Sequence, residues 1–268
     1  MLISLIITLV LMAPAQTPTP TPSALEAQVK QELTEAALAY REGDFAGAQA
    51  HSEKALRLDP QNKTAVYFVA RTIHAQYKPG VSTPENVAKA REAIFAYLRI
   101  LERFPDDDEA YKAVAYLHGA LKEEELLRQW VQQRAENVSI PAEKRAEAYV
   151  VLASKDWDCS YKITEQPGAK IATVDGRKMD IRYQMPKERG EFEQATQCAN
   201  RALEFANMAI TLKPENAPAW SYKTNILLEL EKLAEMSGEL QQKADLHRQY
   251  EVALRETNRL SENLKPKY

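Results

Sequence analysis

One phrase limits this chain more than any other: Glu42-Gly43-Asp44-Phe45, followed by Ala48, then Ala55-Leu56-Arg57-Leu58-Asp59-Pro60. Gly tolerates the backbone of a tight reversal, Ala lets two helices approach closely, and Pro stops a helix. The phrase therefore predicts two helices joined by a short turn, within a unit running from Val29 to Asn62. Its ending recurs. Leu101-Glu102-Arg103-Phe104-Pro105 and Ile210-Thr211-Leu212-Lys213-Pro214 are further stops, each followed by a small-aromatic pair, Ala110-Tyr111 and Ala219-Trp220. Ala148-Tyr149 with Leu152-Ala153 repeats that opening once more. Only 8 Gly in 268 residues leaves little material for a turn-rich β fold, so helices must carry the chain.

The first unit resembles a tetratricopeptide repeat, a helix–turn–helix of about 34 residues with a Gly-Asp-aromatic turn. Ala36 falls at the small place of the first helix, Ala48 and Ala55 at those of the second, and Pro60 at the stop. The resemblance implies an all-α fold, a right-handed solenoid of about five such repeats over residues 27–265, with a small β-hairpin insertion. Two units are too long. In the second, Ala70 places the start at Lys63 but Pro105 places it at His74, an excess of about eleven residues centred on Pro79–Pro84. In the fourth, Ala153 and Pro214 give starts at Ala146 and Tyr183, an excess of about 37. The third unit has Leu127 at a place that is normally small, and the fifth lacks Gly-Asp at its turn. The fifth continues into a polar helix ending near Asn263, as expected of a solenoid cap.

Leu2 to Met12 is apolar apart from Ser4 and Thr8 and precedes Ala13-Pro14-Ala15. This reads as a signal peptide over residues 1–15, too short for a membrane span, although no Lys or Arg precedes it. Thr17–Ser23 alternates Thr and Pro, which favours extended geometry, so residues 16–26 read as a spacer. The expected location is outside the cytoplasm, periplasmic or extracellular, soluble or peripherally attached to the envelope. A net charge of −3, with Lys and Arg interleaved among Asp and Glu, offers no basic face for nucleic acid.

The long insertion, residues 158–190, reads differently from the rest. Ile171–Val174 and Met179–Tyr183 alternate around Asp175-Gly176, which suits a two-residue hairpin turn. A lone hairpin is marginal in water, so it should pack on the helices or pair with Ser160–Ile163 as a third strand. Cys159 and Cys198 flank it. A disulfide across the insertion would stabilise by roughly 3–4 kcal/mol. Two free, buried cysteines are the alternative. Asp156, Asp158 and the cysteines have neither a neighbouring His nor C-x-x-C spacing, so no metal site is expected.

No catalytic motif is present. His51, His74, His118 and His247 lie in separate repeats, and there is neither a nucleophile elbow nor a phosphate-binding Gly loop. The expectation is a non-enzymatic scaffold or adaptor with a protein or peptide partner and no cofactor. The resemblance implies a concave face built by the first helix of each repeat. It places Leu33, Tyr40, Arg41, Tyr67, Arg71, His74, Lys112 and Tyr116 there. Tyr and Arg are common at binding hot spots, though Tyr also packs between repeats. Leu33 and Ala37 stand where chaperone-binding members carry a carboxylate clamp, which argues against that partner class. Two other readings stay open: a structural subunit of a larger envelope or membrane complex, and an enzyme with its site in the insertion.

Overall fold

A computed structural model describes residues 22–263 apart from 176–177. The expected signal peptide lies outside the described residues, as does the expected spacer before Pro22. Among the described residues there are ten helices and one two-stranded sheet. The helices are α1 (Pro22–Glu42), α2 (Phe45–Leu58), α3 (Lys63–Gln76), α4 (Pro84–Arg103) and α5 (Asp108–Ala120). They continue as α6 (Glu124–Glu136), α7 (Ala142–Thr164), α8 (Arg189–Leu212), α9 (Ala217–Ser237) and α10 (Leu240–Asn263). Strands β1 (Lys170–Asp175) and β2 (Lys178–Tyr183) lie between α7 and α8. The fold is all-α, five helix pairs in sequence with a β-hairpin inserted in the fourth. The chain divides into two compact units after Ile100.

Three pairs share one turn. Gly43, Lys122 and Gly238 all have left-handed backbone, with φ of 82°, 58° and 77°. The residue after each donates its N–H five residues back: Asp44 to Ala39 O, Glu123 to His118 O and Glu239 to Ala234 O, each at 2.9 Å. This is the six-to-one bond of a Schellman ending, which satisfies a carbonyl the helix leaves open. The junctions between pairs repeat as well. Asn62, Asp107 and Asn216 stand two residues after Pro60, Pro105 and Pro214, and each caps the next helix. Their side chains accept from Ala65 N, Ala110 N and Ala219 N at 3.0, 2.9 and 3.0 Å. Each such cap stabilises by about 1 kcal/mol.

Small residues set the packing distance. Ala36, Ala48, Ala55, Ala65 and Ala70 are fully buried in the first unit. In the second, Ala195, Ala199, Ala202, Ala206 and Ala209 form a buried stripe along α8. The spacing alternates four and three, so one helix face is alanine throughout, and α7 lies close against it. Larger side chains, Leu152, Ile226 and Leu227 among them, fill the space between α7, α8 and α9.

Several expectations need correction. Helix α1 begins at Pro22, inside the segment read as spacer. Pro is tolerated in a first helical turn because no intrahelical partner awaits its missing N–H. The excess in the second pair is shared between the 77–83 loop and a longer α4. Asn86, which is buried, pins that loop: it accepts from Lys78 N (2.8 Å) and donates to Lys78 O and Val81 O (2.8 and 2.7 Å). The non-helical insertion is 165–188, shorter than 158–190, since α7 runs to Thr164 and α8 starts at Arg189. Ser160–Ile163 therefore belongs to α7 and supplies no third strand. Asp175 pairs with Lys178, so Asp175 ends β1 and the two connecting residues are 176 and 177, not Asp175-Gly176.

Candidate functional site

In the first unit, α1 presents one long face over the corner between α2 and α3. Leu25, Val29, Leu33 and Ala37 recur at the four-residue spacing of a helix face and line an open groove of about 690 Å³. Leu58 and Pro60 close its far side, while Glu26, Lys30, Thr34, Arg41, Asp59 and Asn62 supply a polar rim of both charges. Beside that face, on the buried stripe of α1 that also carries Val29 and Ala36, Glu32 holds α2. It accepts from Lys54 and faces His51 Nδ1 at 2.8 Å, and these hydrogen bonds draw its pKa below the usual carboxylate range.

The groove takes up two of the predicted contact residues, Leu33 and Arg41. Tyr40 and Arg71 meet in a neighbouring cluster. The Tyr40 ring lies 5.2 Å from Phe45 and 6.2 Å from Phe68, with the Arg71 guanidinium 5.9 Å from its centroid. Tyr67 has Lys63 over its ring at 5.6 Å. His74 stands edge-on to Tyr97, with Nδ1 3.3 Å from the phenol oxygen, and burial lowers its pKa. Lys112 and Tyr116 belong to the second unit. Lys112 pairs with Asp108 at 2.5 Å, and Tyr116 is 51% exposed.

Sequence reasoning missed Leu25 because the Thr-Pro run was carried as spacer to residue 26, and Val29 because the resemblance did not place the first residue of the unit on the concave face. The Leu25, Val29, Leu33 spacing was the signal that could have found them. It also missed the brace of the α5–α6 pair. Trp130 stacks on Tyr111 (5.6 Å) and donates to Tyr111 O (3.2 Å), while Arg134 lies 3.9 Å over the same ring and bonds Asp108. Burial, with the nearby Asp108 and Glu147 charges, pushes the Tyr111 phenol up to about 12 against the opposing pull of Arg134.

The insertion is anchored at its root. The structure bridges Cys159 on α7 to Cys198 on α8, with Cα atoms 6.0 Å apart, which decides the open alternative in favour of the disulfide. Beside it the buried Asp156 carboxylate is held by Arg128 (2.8 and 3.0 Å) and Arg201 (3.2 and 3.4 Å), tying α6, α7 and α8 together. Glu165 then fixes the hairpin: it accepts from Lys170 (2.5 Å), Lys232 (2.8 Å) and Tyr183 Oη (3.0 Å). Burial alone would raise its pKa, but these three donors override that and bring it down to about 2. Lys232 also pairs with the buried Glu229, which accepts from Thr164 at 2.6 Å. Beyond this root the described residues of the hairpin stand in solvent. Val174, Met179 and Ile181 are 71%, 66% and 41% exposed.

The polar groups at these sites are engaged in structure. His51, His118 and His247 each face a glutamate, Glu32, Glu123 and Glu231. Among the described residues, no group of three or more His, Cys, Asp or Glu could hold a metal ion, and no helix is long and apolar enough to cross a membrane. What the first unit offers is an apolar trough with a polar rim, an arrangement suited to holding a polypeptide segment.

No family model and no curated protein matches the chain. Solved structures do align with it along most of its length. A MamA protein is 12% identical with a TM-score of 0.39, covering 91% of this chain and 99% of that one. YrrB, described as a tetratricopeptide repeat protein with an unusual peptide-binding site, is 15% identical with a TM-score of 0.38, covering 87% and 96%. A tetratricopeptide repeat protein from Parabacteroides merdae is 14% identical with a TM-score of 0.36, covering 87% and 90%. The repeat character of this chain rests on its own helix pairs, whose turns and junctions recur bond for bond.

Proposed function

We propose that this chain is an exported, non-catalytic scaffold of the periplasm or cell envelope that holds a partner polypeptide in the α1 groove. The carrying observation is the groove itself, an apolar floor from Leu25 to Ala37 with Lys30, Thr34, Arg41 and Asn62 placed to meet backbone and side-chain polar groups. Export is supported by the apolar run Leu2–Met12 and by the only two cysteines being paired, as suits an oxidising compartment. A photo-crosslinking residue at Leu33, introduced in the native organism, should give one discrete adduct, and Ala37→Arg should abolish it by filling the trough. Adducts from Phe95, an exposed position on α4, with none from Leu33 would sink the groove reading. Cell fractionation checks the compartment: a purified chain that is cytoplasmic and retains its first 15 residues would remove export.

The exposed apolar face of the hairpin favours a second reading, a subunit of a larger envelope assembly. Size-exclusion chromatography of a native extract separates the two. A free adaptor elutes near its own mass, whereas a subunit elutes with its complex.

A further inference from the structure

The hairpin has two edges, and they are treated differently. At its root, two backbone donors point out of the ladder and are taken by groups outside it, one in the segment leading into β1 and one on α9. Lys170 N–H bonds Gln166 O at 3.3 Å, and Tyr183 N–H bonds Glu235 Oε1 at 3.1 Å. Lys170 and Tyr183 face each other in the register, so this pair directs its N–H and C=O groups outward. Antiparallel ladders alternate between inward and outward pairs. Ala172 with Ile181, and Val174 with Met179, are therefore outward pairs too. The β2 edge is guarded: Glu235 of α9 occupies its root, and Asp180 and Arg182 lie along it. The β1 edge presents Ile171-Ala172-Thr173-Val174, four residues with neither a charge nor a proline. Folded proteins normally blunt a free edge with one or the other.

We propose that this β1 edge is a self-association site, to which a second copy of the chain adds its own β1, antiparallel and centred on Thr173. The strand is complementary to itself in that register. Ala172 meets Val174 of the copy, and Val174 meets Ala172, so both outward residues of each strand bond. Thr173 faces Thr173 on the two-fold axis, Ile171 faces Asp175, and no like charges oppose. Centring on Ala172 or Val174 instead joins one outward pair and sets the other against Lys170, whose N–H is occupied, or against the connecting residues. A one-residue slip sets outward groups against inward ones and reverses the faces. The centred register also keeps Ala172, Val174, Met179 and Ile181 of both copies on one face, since residues opposite each other share a side. A two-stranded hairpin is marginal alone, and four strands are not. The contact is small, so the association is weak and concentration-dependent. It is independent of the groove in the first unit.

The test uses the full chain. Sedimentation velocity should show a species at twice the 30.3 kDa monomer mass, growing with concentration. Ala172→Pro deletes an outward N–H in each copy while leaving the bonds to β2 intact. It should weaken the dimer by about tenfold or more. Thr173→Cys, on the axis, should form a covalent dimer under mild oxidation, whereas Ile171→Cys, two residues off it, should not. The Cys arm stands even if the Pro variant folds poorly. A chain that stays monomeric at all concentrations overturns the proposal and leaves the edge to another protein or a membrane. Equal cross-linking at both positions, or a dimer indifferent to Ala172→Pro, overturns it by placing the contact elsewhere.

Discussion

Helices α1 and α2 are joined by two residues, Gly43 and Asp44, whereas α7 and α8 are joined by 24, Glu165 to Glu188. Both pairs are antiparallel partners with buried alanines between them, so the same packing is reached under different constraints. The short turn needs only a left-handed residue and a cap. The long connection costs about 2 kcal/mol more in loop closure. The fourth pair carries what the first lacks: a disulfide, a buried Asp156 clamped by two arginines, and the Glu165 cluster. A repeat can thus be opened for an insertion when covalent and ionic ties replace the turn.

That view breaks most sharply at the disulfide. Cys159→Ala with Cys198→Ala should destabilise the second unit by about 4 kcal/mol, the closure entropy of a loop of this size. Denaturation followed by tryptophan fluorescence is selective, because Trp130, Trp157 and Trp220 all lie after Ile100. An unchanged midpoint would mean the ionic ties alone replace the turn. Asp156→Ala comes next, at about 3 kcal/mol, since it leaves Arg128 and Arg201 without their shared partner. A loss below about 0.5 kcal/mol, the range of ordinary surface substitutions, would demote the triad to a surface pair.

The third test is pH. Glu165 falls from 4.5 to about 2 on folding, so it contributes stability above pH 4.5 that is lost as the pH drops toward 2. The unfolded chain binds the proton first, and about 2 kcal/mol should be gone by pH 3. Glu165→Gln should flatten that part of the curve in the same fluorescence assay. If the curve keeps its slope, the hairpin root is not held by this carboxylate.

Much of this was legible in the residues. Gly43-Asp44, the alanine spacing and the three prolines specify helix pairs because each acts locally, through backbone freedom or contact distance. The Pro-x-Asn/Asp junctions at Asn62, Asp107 and Asn216 were equally local and could have been read. The hairpin strands were found from their alternation, but not the turn, since Asp-Gly satisfies either of two adjacent registers and only the pairing of Asp175 with Lys178 selects one. The failed third strand has a different cause. Ser160–Ile163 alternates like a strand, yet Ser160 and Thr164 are buried on the α7 face that meets its neighbours, so tertiary packing extended the helix. The groove was half seen. Leu33 and Arg41 follow from the repeat; Leu25 needed the helix to begin at Pro22, against the local meaning of Thr-Pro, while Val29 needed only the four-residue spacing followed one turn back from Leu33.

The smallest effect tests whether the three turns are one device. Lys122 holds φ 58°, in the region that Gly43 and Gly238 occupy without strain. A side chain there costs about 1 kcal/mol, and its turn has the same six-to-one bond, from Glu123 to His118. Lys122→Gly should therefore stabilise the second unit by somewhat under 1 kcal/mol, part of the relief being offset by the greater freedom of Gly in the unfolded chain. This corresponds to about 2–3 °C in the tryptophan-detected melting temperature. Gly43→Lys should cost the first unit a similar amount, read by circular dichroism since that unit holds no tryptophan. If Lys122→Gly destabilises instead, Lys122 contributes something beyond its backbone angle, and the third turn is a substitute for the first and not a copy of it.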